Sequence, residues 1–443
     1  MKIGFVSLGC PKNQLDTEVM LRELIDDGFE ITIDESEADV IIINTCAFIE
    51  SAKKESIETI LDIARLKEED NLKAIIVTGC LAERYREDII NELPEVDAVL
   101  GIGSIHEICE AVRAVTADSS SKFCSFLSKD EVALGGDRVL TTPEHYSYLK
   151  ISEGCDNKCT YCAIPSIRGK FRSRPMDELI EEAKQLEEIG IKELCIIAQD
   201  TTRYGVDLYG EYKLHELLRR LKNETNIPWF RLLYCYPDKI TDELISEIRD
   251  NERVVKYIDM PLQHISDKVL KRMNRKGNGA MIRNVISKLR REIPDIVIRT
   301  TFIVGFPGET EEDFRELCEF VHETRFDRAG VFTYSREEGT PAYKLKDQID
   351  EQVKIDRMDM IMRDQMDIAT FINEAKIGKT ITVIYEGFDQ LNKTHFGRSE
   401  ADAPDIDGKV YFKVKKKQNF ELGDFIKVKI SDVIDYDLFG VAE

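Results

Sequence analysis

A chain of 443 residues is too long for one ordinary domain, and at about 150 residues per domain it predicts roughly three modules. With 42% hydrophobic and 33% charged residues it has apolar material for several packed cores and no sign of wholesale disorder. The net charge of -22 excludes a protein that binds nucleic acid mainly by blanketing phosphates with positive charge, and it suits a basic partner. No run approaches the roughly 18 apolar residues of a membrane helix, and the segment Lys2 to Cys10 is interrupted too soon for a signal peptide, so a cytoplasmic location is expected. In that reducing setting the 11 cysteines, an odd number, read as metal ligands and buried thiols rather than disulfides.

In chain order, the β-branched runs Ile3 to Leu8, Val40 to Asn44, Ala74 to Thr78 and Val96 to Leu100 come first. They alternate with the amphipathic stretches Gln14 to Asp27, Ala52 to Lys67 and Ala82 to Leu93, which predicts a doubly wound α/β domain over residues 1–117. Periodicity fails over residues 118–140, where Ser119 to Ser121, Gly135 and Gly136 mark a linker. Residues 141–371 alternate again, with strand-like Tyr148 to Ser152, Glu193 to Ala198, Phe230 to Tyr234, Tyr257 to Met260, Ile296 to Val304 and Arg328 to Tyr334. Six β/α repeats are two short of a full barrel, so an open, partial parallel barrel is expected. The long helical stretch Glu351 to Glu374 leads into residues 374–443. There Thr380 to Tyr385, Lys409 to Val414 and Asp424 to Ile430 predict a small closed β-barrel.

Two cysteine sets carry the chemistry. Cys155, Cys159 and Cys162 lie within eight residues on one Gly- and Lys-containing loop, and three thiolates so placed can wrap a small iron-sulfur cluster. Zinc is the competing metal, but the next His after this loop, His215, is over fifty residues away. Cys10, Cys46 and Cys80 each follow a strand at the same end of one parallel sheet, where strand ends converge on a ligand crevice. Each also precedes a helix, whose N-terminal dipole favours thiolate. A shared metal site is expected there, with buried thiols as the plain alternative.

The spacing of Cys155, Cys159 and Cys162 resembles the signature of radical S-adenosylmethionine enzymes. The resemblance implies that these three hold a 4Fe-4S cluster whose open iron chelates S-adenosylmethionine, with Tyr161 near its adenine. Two further segments match more weakly: Ile196 to Asp200, where Gln199 would meet the amino group, and Thr301 to Glu309, where Ile303 and Gly305 would support the adenine. The form of a capping box at Thr310 to Asp313 competes with that last reading. Along essentially its whole length the chain resembles methylthiotransferases, which join an N-terminal three-cysteine domain, a radical S-adenosylmethionine core and a C-terminal TRAM barrel. This implies that Cys10, Cys46 and Cys80 hold a second, auxiliary 4Fe-4S cluster. Cys109, Cys124, Cys195, Cys235 and Cys318 match no motif and read as structural.

Within that family, Ser7 to Gln14, Ala198 to Gly205 and Gly397 to Gly408 resemble the branch that acts on an aspartate of small-subunit ribosomal protein uS-twelve. The branch acting on transfer RNA adenosine typically carries Gln and Met after the first Cys, and Asn rather than Asp after the Gln. Charge points the same way: residues 1–118 hold 11 Lys and Arg against 26 Asp and Glu, and residues 380–443 hold 9 against 12, so the C-terminal barrel is not the basic groove RNA would need. Solubility alone explains an acidic chain equally well, and the strip Lys413 to Lys417 is a local exception.

The resemblance implies radical removal of hydrogen from the β-carbon of the aspartate, a position no ordinary base can open, followed by methylthio transfer. It also implies a flavodoxin-like reductant, a sulfur donor and the 30S ribosome as partners, with no membrane. No heptad run appears, so a monomer is expected. No residue is assigned as acid or base. Lys12, Asn13, Asp16, Gln263 and His264 are candidate pocket residues that capping and ordinary loops explain equally well. The alternatives are a tRNA adenosine methylthiotransferase and a non-catalytic iron-sulfur factor that docks on ribosomes.

Overall fold

The computed structural model describes residues 1–69, 72–117, 122–132, 134–415 and 418–443, so Ser119 to Ser121 of the expected linker and the last two lysines of the basic strip lie outside the described residues. The chain forms two compact units. The first comprises Met1–Thr141, Lys150–Arg174 and Ser335–Tyr343; the second comprises Thr142–Leu149, Pro175–Tyr334 and Lys344–Glu443. Among the described residues no helix is long and apolar enough to cross a membrane.

In the first unit, Lys2–Ser7 (β1), Glu30–Thr32 (β2), Val40–Thr45 (β3), Ala74–Gly79 (β4), Ala98–Leu100 (β5) and Phe123–Ser125 (β6) form one parallel sheet in the order β2-β1-β3-β4-β5-β6. Ile41, Ile43, Ile75 and Val77 pack on one face against Ile60, Ile63 and Ala64, while Val40, Ile42, Ala74 and Ile76 pack on the other against Met20, Leu24, Ile108 and Val112. Burial of both faces is why these strands read as continuous β-branched runs rather than alternating ones. The chain passes from β1 to an edge strand and then returns to place β3 on the other side of β1, so the winding reverses there and opens a crevice at the carboxyl ends of β1 and β3. The stretch read as linker supplies β6, because three residues are too few to show a period.

Tyr146–Lys150 (β7) begins the second sheet. The two-residue strands Ser152–Glu153 (β8) and Arg172–Ser173 (β9), which pair antiparallel, belong to the first unit. Glu193–Ile197 (β10), Trp229–Leu232 (β11), Val254–Asp259 (β12), Val297–Val304 (β13) and Arg328–Thr333 (β14) follow, and the spatial order β14-β13-β12-β11-β10-β7 is simply sequential, as repeated β/α units require. The sheet stays open at six strands. Thr380–Asp389 (β15), Thr394–Ser399 (β16), Val410–Lys413 (β17), Phe425–Ile434 (β18) and Asp437–Ala442 (β19) close into a barrel around Val383, Tyr385, Val410, Phe412, Val428 and Leu438.

Residues 397–408, one of the stretches that resembles the ribosomal-protein branch, bond to side chains of the parallel strands. Arg398 and Arg231 both donate to Glu193, each at 2.6 Å; Arg328 pairs with Asp402 at 2.7 Å; Tyr257 donates to Asp407 at 2.7 Å and Tyr146 to Asp405 at 2.8 Å. Buried pairs of this kind add little net stability but are costly to break from one side, so they fix how the small barrel seats on the strands.

The capping box read from Thr310 to Asp313 is present at the start of helix Glu311–Thr324. Asp313 accepts from the Thr310 N–H at 2.8 Å, from Ser266 at 2.7 Å and from Lys268 at 3.0 Å. Burial pushes its carboxyl up, but the bonds from Thr310, Ser266 and Lys268 outweigh burial and hold it well below the ordinary range. A carboxyl depressed in the folded state contributes stability above its unfolded pKa and loses it as pH falls through the folded value. Asp313→Asn should therefore lower stability by about 1 kcal/mol at pH 7, with the gap to the parent narrowing below about pH 4. Urea midpoints at pH 7 and pH 3 measure this, and a gap that widens in acid would contradict it.

Candidate functional site

Cys10, Cys46 and Cys80 stand at the carboxyl ends of β1, β3 and β4. Cys10 is the N-cap of helix Pro11–Asp26, with extended φ -98° and ψ 167°, and Cys80 opens helix Cys80–Arg84. The expectation that all three sit at helix N-termini fails for Cys46. Helix Glu50–Glu69 begins only after Ala47 to Ile49, because the amphipathic period locates a helix but not the loop that leads into it. Cys46 is held instead by Ser56, which accepts from its N–H at 3.0 Å and donates to its carbonyl at 2.8 Å.

Glycine precedes two of these cysteines for a steric reason. Gly9 and Gly79 both have φ +93°, and a Cβ on Gly79 would lie 2.3 Å from Asn44 Oδ1 and 2.5 Å from the Thr45 carbonyl. Asn44 is in turn locked to the first loop: it donates to the Asn13 carbonyl and to Thr17, both at 2.8 Å, while Asn13 donates to the Leu8 carbonyl at 2.7 Å. Asn13 is thus a strut of the loop rather than a residue lining a pocket.

The three thiols are near enough to influence one another. Burial pushes the Cys10 thiol up, yet Lys12, Arg168 and the N–H groups of Asn13 and Lys12 more than offset this, and it lies below its ordinary value. Burial pushes Cys80 up to about 12; Arg168 pulls against it, and Cys10 and Cys46 add to the rise. Cys46 is likewise raised, by burial and then by Cys10.

Arg168 is only 1% exposed. It donates to Cys80 Sγ at 3.9 Å and to Asn13 Oδ1 at 3.3 Å, and it pairs with Asp16 at 2.8 Å and Glu153 at 3.2 Å. Lys150 pairs with the same two carboxylates, at 3.1 and 3.0 Å. Sequence reasoning missed Arg168 and Ser56. The available signal for the first was an arginine followed by glycine six residues beyond Cys162.

The second set follows β8. Gly154 has φ +73°, and a Cβ there would lie 2.0 Å from the Lys170 carbonyl, so glycine again precedes a cysteine where the backbone passes too closely for a side chain. The Cys155 N–H donates to the Gly169 carbonyl at 3.2 Å, the Cys162 N–H to the Cys159 carbonyl at 3.2 Å, and the Ala342 N–H to the Thr160 carbonyl at 2.8 Å. Cys155 and Cys159 are buried, while Cys162 and its neighbour Tyr161 are half-buried. Both cysteine sets therefore belong to the first compact unit. Among the described residues no three Cys, His, Asp or Glu side chains are gathered closely enough to ligate one metal ion. Each set supplies three thiols, which fits a cluster of several irons with one position left open, whereas a structural zinc site would call for a fourth Cys or His beside them.

In the second unit Gln199 stands just beyond β10, half-buried, Ile303 is half-buried near the carboxyl end of β13, and Gly305 is buried in the turn after it. Gln263 has φ +73° and links β12 to β13: its N–H donates to the Thr301 carbonyl and its carbonyl accepts from the Ile303 N–H, both at 2.8 Å. His264 is fully buried, its Nδ1 accepts from the Ser266 N–H at 3.0 Å, and burial drives its pKa down to about 3, so it is a neutral core histidine rather than a pocket base. Asp200 is buried and pairs with Lys239 and Thr202. Of the unassigned cysteines, Cys195 and Cys235 are buried, Cys109 and Cys318 half-buried, and Cys124 exposed.

Residues 149–321 match the model of the Radical SAM superfamily, residues 2–101 that of Uncharacterized protein family UPF0004, and residues 377–442 that of the TRAM domain. The protein is a radical S-adenosylmethionine enzyme, a class whose chemistry uses a 4Fe-4S cluster and S-adenosylmethionine. Two structures of the radical S-adenosylmethionine methyltransferase TsrM from Kitasatospora setae share its fold. One has a TM-score of 0.57 and 14% identity over 88% of this chain and 79% of that one, the other 0.56 and 16% over 77% and 73%. Much greater similarity is found to proteins named ribosomal protein uS12 methylthiotransferase RimO. That of Acetivibrio thermocellus is 51% identical over 99% of this chain and 98% of its own, and that of Caldanaerobacter subterraneus subsp. tengcongensis 52% over 99% of each. The chain belongs to the ribosomal protein uS12 methylthiotransferase family.

Proposed function

We propose that this enzyme attaches a methylthio group to the β-carbon of an aspartate in ribosomal protein uS12. The observation that carries the reading is identity of about half over the full length of relatives bearing that name. In this reading Cys155, Cys159 and Cys162 hold one 4Fe-4S cluster, and Cys10, Cys46 and Cys80 hold a second. By the resemblance of their segments, Tyr161, Gln199, Ile303 and Gly305 are assigned to S-adenosylmethionine. When bound, these groups supply the electron, the carbon-centred radical and the sulfur that no side chain can supply. The protein's own residues fix the loops: Ser56, Asn13 and Asn44 set the three strand-end thiols, and the Gly169 carbonyl sets Cys155.

The acidic first 118 residues suit a basic ribosomal protein approaching as substrate. A flavodoxin-like reductant, a separate sulfur donor, a cytoplasmic location and a monomeric state complete the reading. Mass spectrometry of ribosomal proteins and transfer RNA from a deletion strain tests it. Loss of the methylthio mass from the uS12 aspartate, with tRNA unchanged, is the expected result, and loss from tRNA alone would overturn it.

A further inference from the structure

Arg168 calls for a physical reason. Burying a guanidinium is costly, and replacing a buried ion pair with apolar side chains is often neutral or stabilising. Here the chain buries two cations, Arg168 and Lys150, against two carboxylates, Asp16 and Glu153, with all four side chains at most 5% exposed. Lys150 alone spans both carboxylates, at 3.1 and 3.0 Å, so Arg168 is not needed to connect them. Beyond the two carboxylates, Arg168 reaches Asn13 Oδ1 at 3.3 Å and a cysteine sulfur. Its Nη2 reaches Cys80 Sγ at 3.9 Å. It stands at the end of helix Ile164–Arg168, on the segment that carries Cys155, Cys159 and Cys162, and it reaches from there to the other set.

We propose that Arg168 is a positioning residue for the metal group of Cys10, Cys46 and Cys80: its guanidinium donates to Cys80 Sγ and sets that group's reduction potential higher than three thiolates alone would give. The proposal rests on the reading that those three cysteines hold an iron-sulfur cluster. Hydrogen bonds to sulfur and nearby positive charge both stabilise the added electron of such a cluster. The effect would have a use: joining a carbon radical to a thiolate sulfur forms one C–S bond and leaves one electron over, and a group of raised potential held at Cys80 would be a suitable acceptor for it.

The test uses the full chain carrying Cys155→Ala, Cys159→Ala and Cys162→Ala, reconstituted anaerobically with iron and sulfide and titrated potentiometrically by electron paramagnetic resonance. Adding Arg168→Gln should lower the midpoint by at least tenfold in the reduction equilibrium, or about 59 mV for one electron. Arg168→Lys, which keeps the charge, should stay nearer the parent. Asp16→Asn removes a carboxylate that shares the Arg168 charge and should shift the midpoint upward. A fully loaded Arg168→Gln protein with an unchanged midpoint would overturn the proposal, as would shifts of the same sign in Arg168→Gln and Asp16→Asn. If Arg168→Gln does not fold, Asp16→Asn decides: a rise supports the proposal and no shift sinks it. A parent that takes up no iron removes the cluster reading itself, and this proposal with it, which separates the two failures.

Discussion

If each cysteine set holds one cluster, as proposed, converting Cys155, Cys159 and Cys162 together to Ala should leave about half of the reconstituted iron, and should abolish cleavage of S-adenosylmethionine to deoxyadenosine. The fold should survive. The loop is shaped by backbone bonds from Cys155 to Gly169 and from Cys162 to Cys159, and by the close pass of Gly154 over Lys170, none of which uses a thiol. Unchanged iron content, or deoxyadenosine still formed under reducing conditions, would remove these residues from the role assigned to them. Deoxyadenosine formed by the unaltered chain would also exclude a non-catalytic assembly factor.

The complementary change, Cys10, Cys46 and Cys80 to Ala, should separate the two halves of the reaction. Deoxyadenosine should still form, because the other three cysteines are intact, but no methylthio product should appear on uS12. Ser56 grips Cys46 through its backbone, and Asn13 and Asn44 hold the neighbouring loops, so the carboxyl end of the sheet should keep its shape without the thiols. Mass spectrometry of uS12 after incubation, with deoxyadenosine measured in the same sample, gives both readings. Methylthio product at the level of the unaltered enzyme would contradict the assignment.

Much of this architecture is legible in the sequence because burial leaves a pattern. Val40 to Thr45 and Ala74 to Gly79 are buried throughout, and nearly unbroken β-branched runs mark such strands. Elements without that pattern were missed. Glu30–Thr32 and Phe123–Ser125 are too short, and Thr394–Ser399 carries His395, Gly397 and Arg398 because its end is spent on a buried ionic contact with Glu193. The cysteine ligand candidates were legible from spacing and from their position after strands. Their supports were not, since Ser56 and Arg168 act on cysteines remote in the chain and no local period connects them. One local signal was present: a glycine directly before Cys10, Cys80 and Cys155, each with positive φ.

The segment Lys150–Arg174 also determines where this protein can be cut and rejoined. A chimera between relatives joined near residue 141 would keep each parental sheet whole, and by the pattern of strands and linkers it looks harmless. It would nevertheless take Asp16 from one parent and Lys150 and Arg168 from the other, leaving a four-charge buried cluster assembled from sequences that did not diverge together. The seam that respects the chemistry divides the chain in five places, and both sets of cysteines pass to the offspring as a single inheritance.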